Sequence, residues 1–470
     1  MPFLSGFGKR KEIRYGTTFP GANLTGFPKL IEITTDLELA AELALGGGIA
    51  VTLDDGTTTV PFGLYPSSNL ALGTLILRAK FPTLLTAAST GDVLGYLYYD
   101  SGQTTSEDKA GVVDNGYALF MPLEEDPSGG APQMRDWVTD TLLGTSSGSM
   151  TSGDLVAAQV ANGLDFDGSN DAIDLGDVAP GTSDMTVTAW IKRAATGTRN
   201  EVMSKESGAA PRGYELAALG GDKAEFGVFS AAGFPTVQSS GTLSAATWYM
   251  LTGTRNAVAN ELKIYIDGTL DGTASAFSGD APADDTTHLF LARKASDGSR
   301  QFQGIIDEVT VSNVTRSADW IGYAYDDDSA NSDTFSLGAE EEDGGGGDIT
   351  ADLSVTLSAP SLSSTSSVTV LTSSSTTLAA ISLSSASSVL VVASSSVTLA
   401  GPSLSSALTV TVTADSSTTL AGPSLSSGVL MTVTVDASVT LSGPSLSSSS
   451  LVTVTADASV TLAGPVLSSN

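Results

Sequence analysis

The sequence predicts an all-β chain in three parts. These are a β-sandwich-like N-terminal domain (residues 1–115), a sandwich of two antiparallel sheets (116–337) and, beyond an acidic glycine-rich linker (338–350), a β-repeat fibre or solenoid (351–470). Three observations carry this. Short runs of alternating apolar and polar residues, separated by Gly, Asp, Asn and Ser clusters, fill the first 337 positions. The stretch Gly338–Asp348, GAEEEDGGGGD, interrupts them. After it, leucines recur every 21 residues in six copies without a slip.

In the first part, LTGFPKLIEIT and GTLILRAKFP read as half-buried strands. In VLGYLYYD, Leu94, Tyr96 and Tyr98 share one face and Val93, Leu97 and Tyr99 the other, as a strand covered on both sides requires. Between them DLELAAELALGGG predicts a helix. Asp36 caps it, Leu37, Ala41 and Leu45 share its face, and Gly46 ends it.

In the second part, MTVTAWIK places Met185, Val187, Ala189 and Ile191 on one face and Trp190 on the other. ELKIYIDGTLDGT sends Leu262, Ile264 and Ile266 inward and turns at Asp267-Gly268, a strong hairpin signal.

In the third part, Leu357, Leu378, Leu399, Leu420, Leu441 and Leu462 form one register, and Leu362, Leu383, Leu404, Leu425, Leu446 and Leu467 a second. Pro360, Pro402, Pro423, Pro444 and Pro465 keep phase, with Ile381 in the second copy, as do Asp352, Asp415, Asp436 and Asp457. One copy has too few apolar side chains, at roughly 1.5–3 kcal/mol each, to offset about 1–2 kcal/mol of backbone entropy per residue. Copies must therefore stack or interlock with other chains. Stacking as a solenoid gives a stub of ~29 Å at ~4.8 Å per coil. Interlocking gives a longer multi-chain fibre, architecturally similar to triple β-spiral shafts, and a homotrimer of that kind is the arrangement expected.

Composition narrows function. With 21 basic against 52 acidic residues and a net charge of -31, a nucleic-acid-binding surface is excluded. Without cysteine there are no disulfides or thiolate metal sites, and His288 alone cannot form a histidine-based triad. The start MPFLSGFGKRKEIRYG has its apolar run before its basic cluster, the reverse of a secretory signal, so export by signal cleavage is not expected. No run of 18 apolar residues predicts a membrane span.

The motifs GLDFDGSNDAIDLGD, MTVTAWIKR, TWYMLTGTRN, LKIYIDGTL and FQGIIDEVTVSN, preceded by FMPLEEDPSGG, resemble a laminin-G-like, concanavalin-A-like jelly roll in order and spacing. The part before it is similar to an uncharacterised β-rich domain found upstream of such modules in bacterial surface and phage proteins. The resemblance implies a jelly-roll fold, contact with glycans, and in some members calcium at loop carboxylates. Asp167, Asn170 and Asp171, closely spaced around a glycine turn, are the candidate calcium ligands, although turn chemistry alone produces the same residues. Asp307 joins them as a carboxylate on the face of Ile305, Val309 and Val311; buried there, it must be metal-bound or hydrogen-bonded to backbone amides. No cofactor is otherwise required.

Related folds include glycoside hydrolases with paired carboxylates on one strand in a Glu-x-Asp-x-x-Glu pattern. No strand carries that pattern, and Glu215, Glu225 and Glu308 each stand alone, so no enzyme is expected. Trp137, Tyr214, Phe234 and Trp320 are the candidates for stacking on sugars, against the simpler reading of core packing. Asp284-Asp285 and Asp326–Asp328 read as solvated loops. The function expected is a structural or adhesive virion protein, a phage fibre, spike or decoration, that contacts glycans or host surfaces beside other virion proteins. A bacterial or archaeal cell-surface adhesin or filament subunit is the alternative, and a glycan-active enzyme comes last.

Overall fold

The computed structural model describes residues 3–44, 46–179, 184–206, 213–229, 233–275 and 286–343, and the strand backbones between 349 and 467. The chain divides into two compact units, Met1–Glu340 and Glu341–Asn470.

The first unit opens with β1 (Lys9–Tyr15), β2 (Leu24–Thr25), β3 (Pro28–Ile33), helix α1 (Leu37–Leu43), β4 (Gly48–Leu53), β5 (Phe62–Leu64), β6 (Leu75–Lys80), β7 (Thr83–Leu84), β8 (Val93–Asp100) and helix α2 (Lys109–Val112). Residues 94–99 of β8 are all buried, because Tyr96 and Tyr98 pack on Phe7 while Leu97 and Tyr99 enter the main core. Asp36 caps α1 by accepting from the amides of Glu38 and Leu39. The buried face of α1 is Leu39 and Leu43, whereas Leu37 is 76% exposed, so the face expected from Leu37 and Ala41 is corrected. Leu45 lies outside the described residues.

The second sandwich follows with β9 (Tyr117–Met121), β10 (Met134–Asp136), β11 (Thr141–Ser147), β12 (Leu155–Ala157), β13 (Asn162–Asp167), β14 (Ala172–Asp174), β15 (Met185–Arg193), β16 (Asn200–Ser204), β17 (Gly213–Ala218), β18 (Ala224–Phe229), β19 (Thr236–Gln238), β20 (Trp248–Asn256), β21 (Glu261–Ile266), β22 (Thr269–Ser275), β23 (Phe290–Leu291) and β24 (Gln303–Ser312). One antiparallel sheet has the order β10-β11-β14-β23-β16-β17-β18-β19; the other has β12-β13-β24-β15-β20-β21-β22, with β9 on β24. Met185, Val187, Ala189 and Ile191 enter the core between them, as do Leu262 and Ile264, while Trp190 points to the opposite side. Asp267 and Gly268, at φ 50° and 74°, make the tight turn between β21 and β22.

The chain then returns to the N-terminal core. Helix α3 (Ala318–Ser329), helix α4 (Asn331–Thr334) and β25 (Phe335–Glu342) place Trp320, Tyr323 and Phe335 beside Ile13, Phe27 and Leu39. β25 is the edge strand next to β1 in the sheet β25-β1-β8-β4, which faces β3-β6-β5. The N-terminal sandwich is thus closed by residues far along the sequence.

In the second unit each 21-residue copy supplies three strands, for example Ser388–Ala393, Ser396–Ala400 and Ser403–Ser405. Equivalent strands of successive copies pair in parallel, giving three six-stranded sheets. The register is the sequence period itself: Leu378 pairs with Leu399, Leu399 with Leu420, and Leu404 with Leu425. Copies therefore stack within one chain as a solenoid, and this replaces the expected pairing of interlocked chains. The physical reason is that identical residues one coil apart complete every backbone ladder without a partner chain. Thr411, Thr413, Thr432, Thr434, Thr453 and Thr455 are exposed or half-exposed, as strand alternation gives one outward face, and Thr418 is buried. The side chains of the repeat leucines, together with the in-phase prolines and aspartates, lie outside the described residues.

Candidate functional site

The site is built on the outer face of the β10-to-β19 sheet. Strand alternation sends Tyr214, Leu216 and Ala218 of β17 into the core, so Glu215 and Ala217 face outward. The same rule turns Glu225 and Gly227 of β18 outward beneath core residues Ala224, Phe226 and Val228, and Phe290 of β23 outward beside core residue Leu291. A bulge between Glu201 and Met203 of β16 leaves Glu201 and Ser204 on this face. Cross-strand pairing then gives one row: Asp174, Phe290, Ser204, Glu215, Gly227 and Thr236. At ~4.8 Å between strands its five intervals extend roughly 24 Å. A second row holds Glu201, Ala217, Glu225 and Gln238.

Arg199 joins the three carboxylates. Its Nε donates to Glu201 Oε1 at 2.9 Å, Nη1 to Glu225 Oε1 at 2.7 Å, and Nη2 to Glu215. Arg300 Nη1 donates to the same Glu201 oxygen at 2.7 Å, and Gln238 Nε2 to Glu225 Oε2 at 2.9 Å. Glu201 is fully buried and its Oε2 has no hydrogen-bond partner. Burial, reinforced by the Glu201 charge and opposed by Arg199, pushes Glu215 up to about 7. The structure thus assembles carboxylates that the sequence left alone. No in-strand motif marks them, since they sit on three neighbouring strands.

Aromatic rings flank this network. Phe234, 39% exposed, stacks on Phe229 with centroids 3.8 Å apart and lies over Gly227. A Cβ at Gly227 would fall 2.5 Å from that ring, so a larger residue there would displace Phe234. At the other end, the Arg293 guanidinium lies 3.9 Å from the Phe290 ring centre. His288 stacks on the same ring and holds Asp174 through Nδ1 at 2.8 Å. Of the four aromatic candidates, Trp137, Tyr214 and Trp320 are buried packing residues, and Phe234 alone reaches the surface.

The four proposed calcium ligands do not converge. Asp167 Oδ1 accepts from the amides of Ser169 and Asn170, and Asp171 Oδ2 from the amide of Asp167, which is turn chemistry. Asp307 lies four residues beyond Gln303, the cross-strand partner of Asp167, about 13 Å along β24. A bulge near Glu308, at φ 49°, shifts alternation so that Ile306, Val309 and Val311 enter the core and Asp307 does not. Asp307 is fully buried on the other face, where one oxygen accepts from the amide of Val160 at 2.9 Å and Oδ1 has no partner. Burial and the neighbouring Glu308 charge push its carboxyl well up. Among the described residues no group of three or more His, Asp or Glu side chains is placed to hold a metal.

Two other acidic readings are corrected. Asp327 and Asp328 lie on α3 and are buried; Asp327 pairs with Lys29, and Asp328 with Arg78 at 2.7 Å. Glu308 accepts from Arg78 at 2.9 Å and from the Tyr65 hydroxyl at 2.7 Å, so it too is partnered. The cations sit on β3 and β6 and the carboxylates on α3 and β24, pairings that no local pattern announces. Asp284 and Asp285 lie outside the described residues.

Comparison with known proteins bears on the middle of the chain. A family model described as the concanavalin A-like lectin/glucanases superfamily matches residues 167–322, in keeping with the laminin-G-like motifs. Among solved structures, the receptor-binding domain of botulinum neurotoxin mosaic serotype C/D is similar at 15% identity, over 46% of this chain and 51% of that one, with a TM-score of 0.36. The binding domain of Paraclostridial Mosquitocidal Protein 1 is similar at 12% identity over 45% and 52%, with a TM-score of 0.35. Domain 4 of AbnA, a GH43 extracellular arabinanase from Geobacillus stearothermophilus solved with arabinotriose, is similar at 15% identity over 42% and 92%, with a TM-score of 0.32. The chain spans about half the length of the toxin domains it matches. No curated protein matches it. No helix among the described residues is long and apolar enough to cross a membrane.

Proposed function

We propose that this is a structural or adhesive protein whose jelly roll binds glycan on the β10-to-β19 face while the solenoid serves as its scaffold. The observation that carries the reading is the row from Phe290 through Ser204 and Glu215 to Gly227, with the exposed ring of Phe234 at one end and the half-buried ring of Phe290 at the other. Sugars present apolar ring faces that stack on aromatics and hydroxyl edges that bond to carboxylates and guanidinium groups. Here rings stand toward the two ends of one face, with the carboxylate–guanidinium network between them. A superfamily match that includes lectins agrees with this.

The setting proposed is a virion, as a phage fibre, spike or decoration beside other virion proteins, with a cell-surface adhesin or filament subunit as the second reading. Display in several copies would strengthen weak sugar contacts, and a trimer is the state proposed; sedimentation equilibrium returning the mass of one chain would remove it. The site is proposed to bind without turnover, because Arg199 engages each of the three carboxylates. The test is binding to an oligosaccharide array by the intact protein and by Phe234→Ala and Phe290→Ala. Each variant is expected to lose at least tenfold in affinity with an unchanged melting curve. Undiminished binding by both would reject the face, and release of new reducing ends would revive hydrolysis.

A further inference from the structure

Arg293, at the Phe290 end, lacks the carboxylate that most cations of this sandwich have. Arg199 and Arg300 meet carboxylates of the central network, Arg193 meets Asp222, Lys205 meets Asp177 and Lys294 meets Glu206. Arg293 meets none. Its guanidinium carbon lies over the Phe290 ring, and among the described residues Arg293 has no hydrogen bond or ion pair, with Nε enclosed and unpartnered. This occurs in a chain with 52 acidic and 21 basic residues, where a free carboxylate partner would be easy to supply. His288 stacks on the same ring, and its Nδ1 is engaged by Asp174, leaving Nε2 as the ring nitrogen open to another partner. Asp174 and Asp297, the acidic side chains of the adjoining strand and loop, are themselves engaged by His288 and by Ser299.

We propose that this face takes an acidic carbohydrate, whose anionic group sits against Arg293 and His288 while its neutral rings run along the row toward Phe234. Held over the ring, the guanidinium keeps its terminal Nη donors for bonds to one anion, a chemistry that suits carboxylate and sulfate alike. The inference rests on the glycan-binding reading and adds the charge of the ligand.

The experiment is titration calorimetry of the full chain with three oligosaccharides of equal length. They are an oligogalacturonate carrying carboxylates, a sulfated galactan fragment, and a neutral galactan fragment. The expected result is at least tenfold tighter binding of one acidic ligand than of the neutral one, weakened by salt. Which acid binds tighter separates carboxylate from sulfate. Arg293→Gln should bring the acidic ligand down to the neutral level, whereas Phe234→Ala should weaken both. Equal affinity for acidic and neutral ligands, or an Arg293→Gln protein that keeps the preference, overturns the inference and leaves the glycan reading standing. Absence of binding to any sugar by the unaltered protein overturns both.

Discussion

Arg199 holds three strands together by charge. Glu201 and Glu215 are almost completely buried, and each has an oxygen on its guanidinium, as does Glu225. Removing one partner of a buried ion network leaves the others uncompensated, which costs about 3–5 kcal/mol. Arg199→Ala is therefore expected to lower stability by that order in urea unfolding. The loss should be smaller at pH 5 than at pH 8, because Glu215, pushed up to about 7, takes a proton at the lower pH and sheds its charge. Little of this residue-scale site was legible in the sequence. Phe234 was recognisable as an aromatic candidate, but Arg199, Arg293 and the carboxylates meet only through strand order, which sequence spacing does not encode.

At the scale of elements, patterns of period two and period 21 were readable because burial imposes them directly. Met185 to Ile191 and Leu262 to Ile264 enter the core as alternation requires, and repeat leucines face their own copies in the ladders. Reading failed where geometry breaks the period. The bulge at Glu308 moved Asp307 to the opposite face, and Asp326–Asp328 proved helical although the run looked like a loop. Among the described side chains of the solenoid, Thr418 departs from the valine of the coils on either side of it and can be tested. Thr418 pairs with Val397 and Val439 in the neighbouring coils, is buried, and has no partner for its hydroxyl. A buried unsatisfied hydroxyl costs about 1–3 kcal/mol, and valine has nearly the same shape. Thr418→Val is accordingly expected to stabilise the solenoid by ~1 kcal/mol or more in denaturant unfolding followed by circular dichroism. An unchanged or lowered midpoint would count against the coil geometry.

For the molecule as a whole, the two sandwiches of the first unit share a buried charge cluster of Lys29, Arg78, Glu308, Asp327 and Asp328. Nothing in the sequence announced that residues 318–342 fold back to complete the N-terminal core, because the contacts join positions about 300 apart. Burial, with Arg78 opposing it, pushes Glu308 up to about 7, and burial raises Asp328 as well. Both carboxyls thus hold protons more tightly folded than unfolded. The contribution of Glu308 is fully present below about pH 4.5 and is lost as pH rises to about 7, on the order of 3 kcal/mol. The melting temperature should fall between pH 5 and pH 8, and Glu308→Gln should flatten that slope in calorimetry. The tail has a different mechanical character. Its 120 residues would reach ~400 Å if drawn out, yet six stacked coils rise only ~29 Å. Under tension a coil peeled from the stack would release ~70 Å of slack while the coils beneath stayed shut, so the tail would lengthen stepwise under load and absorb a pull instead of transmitting it.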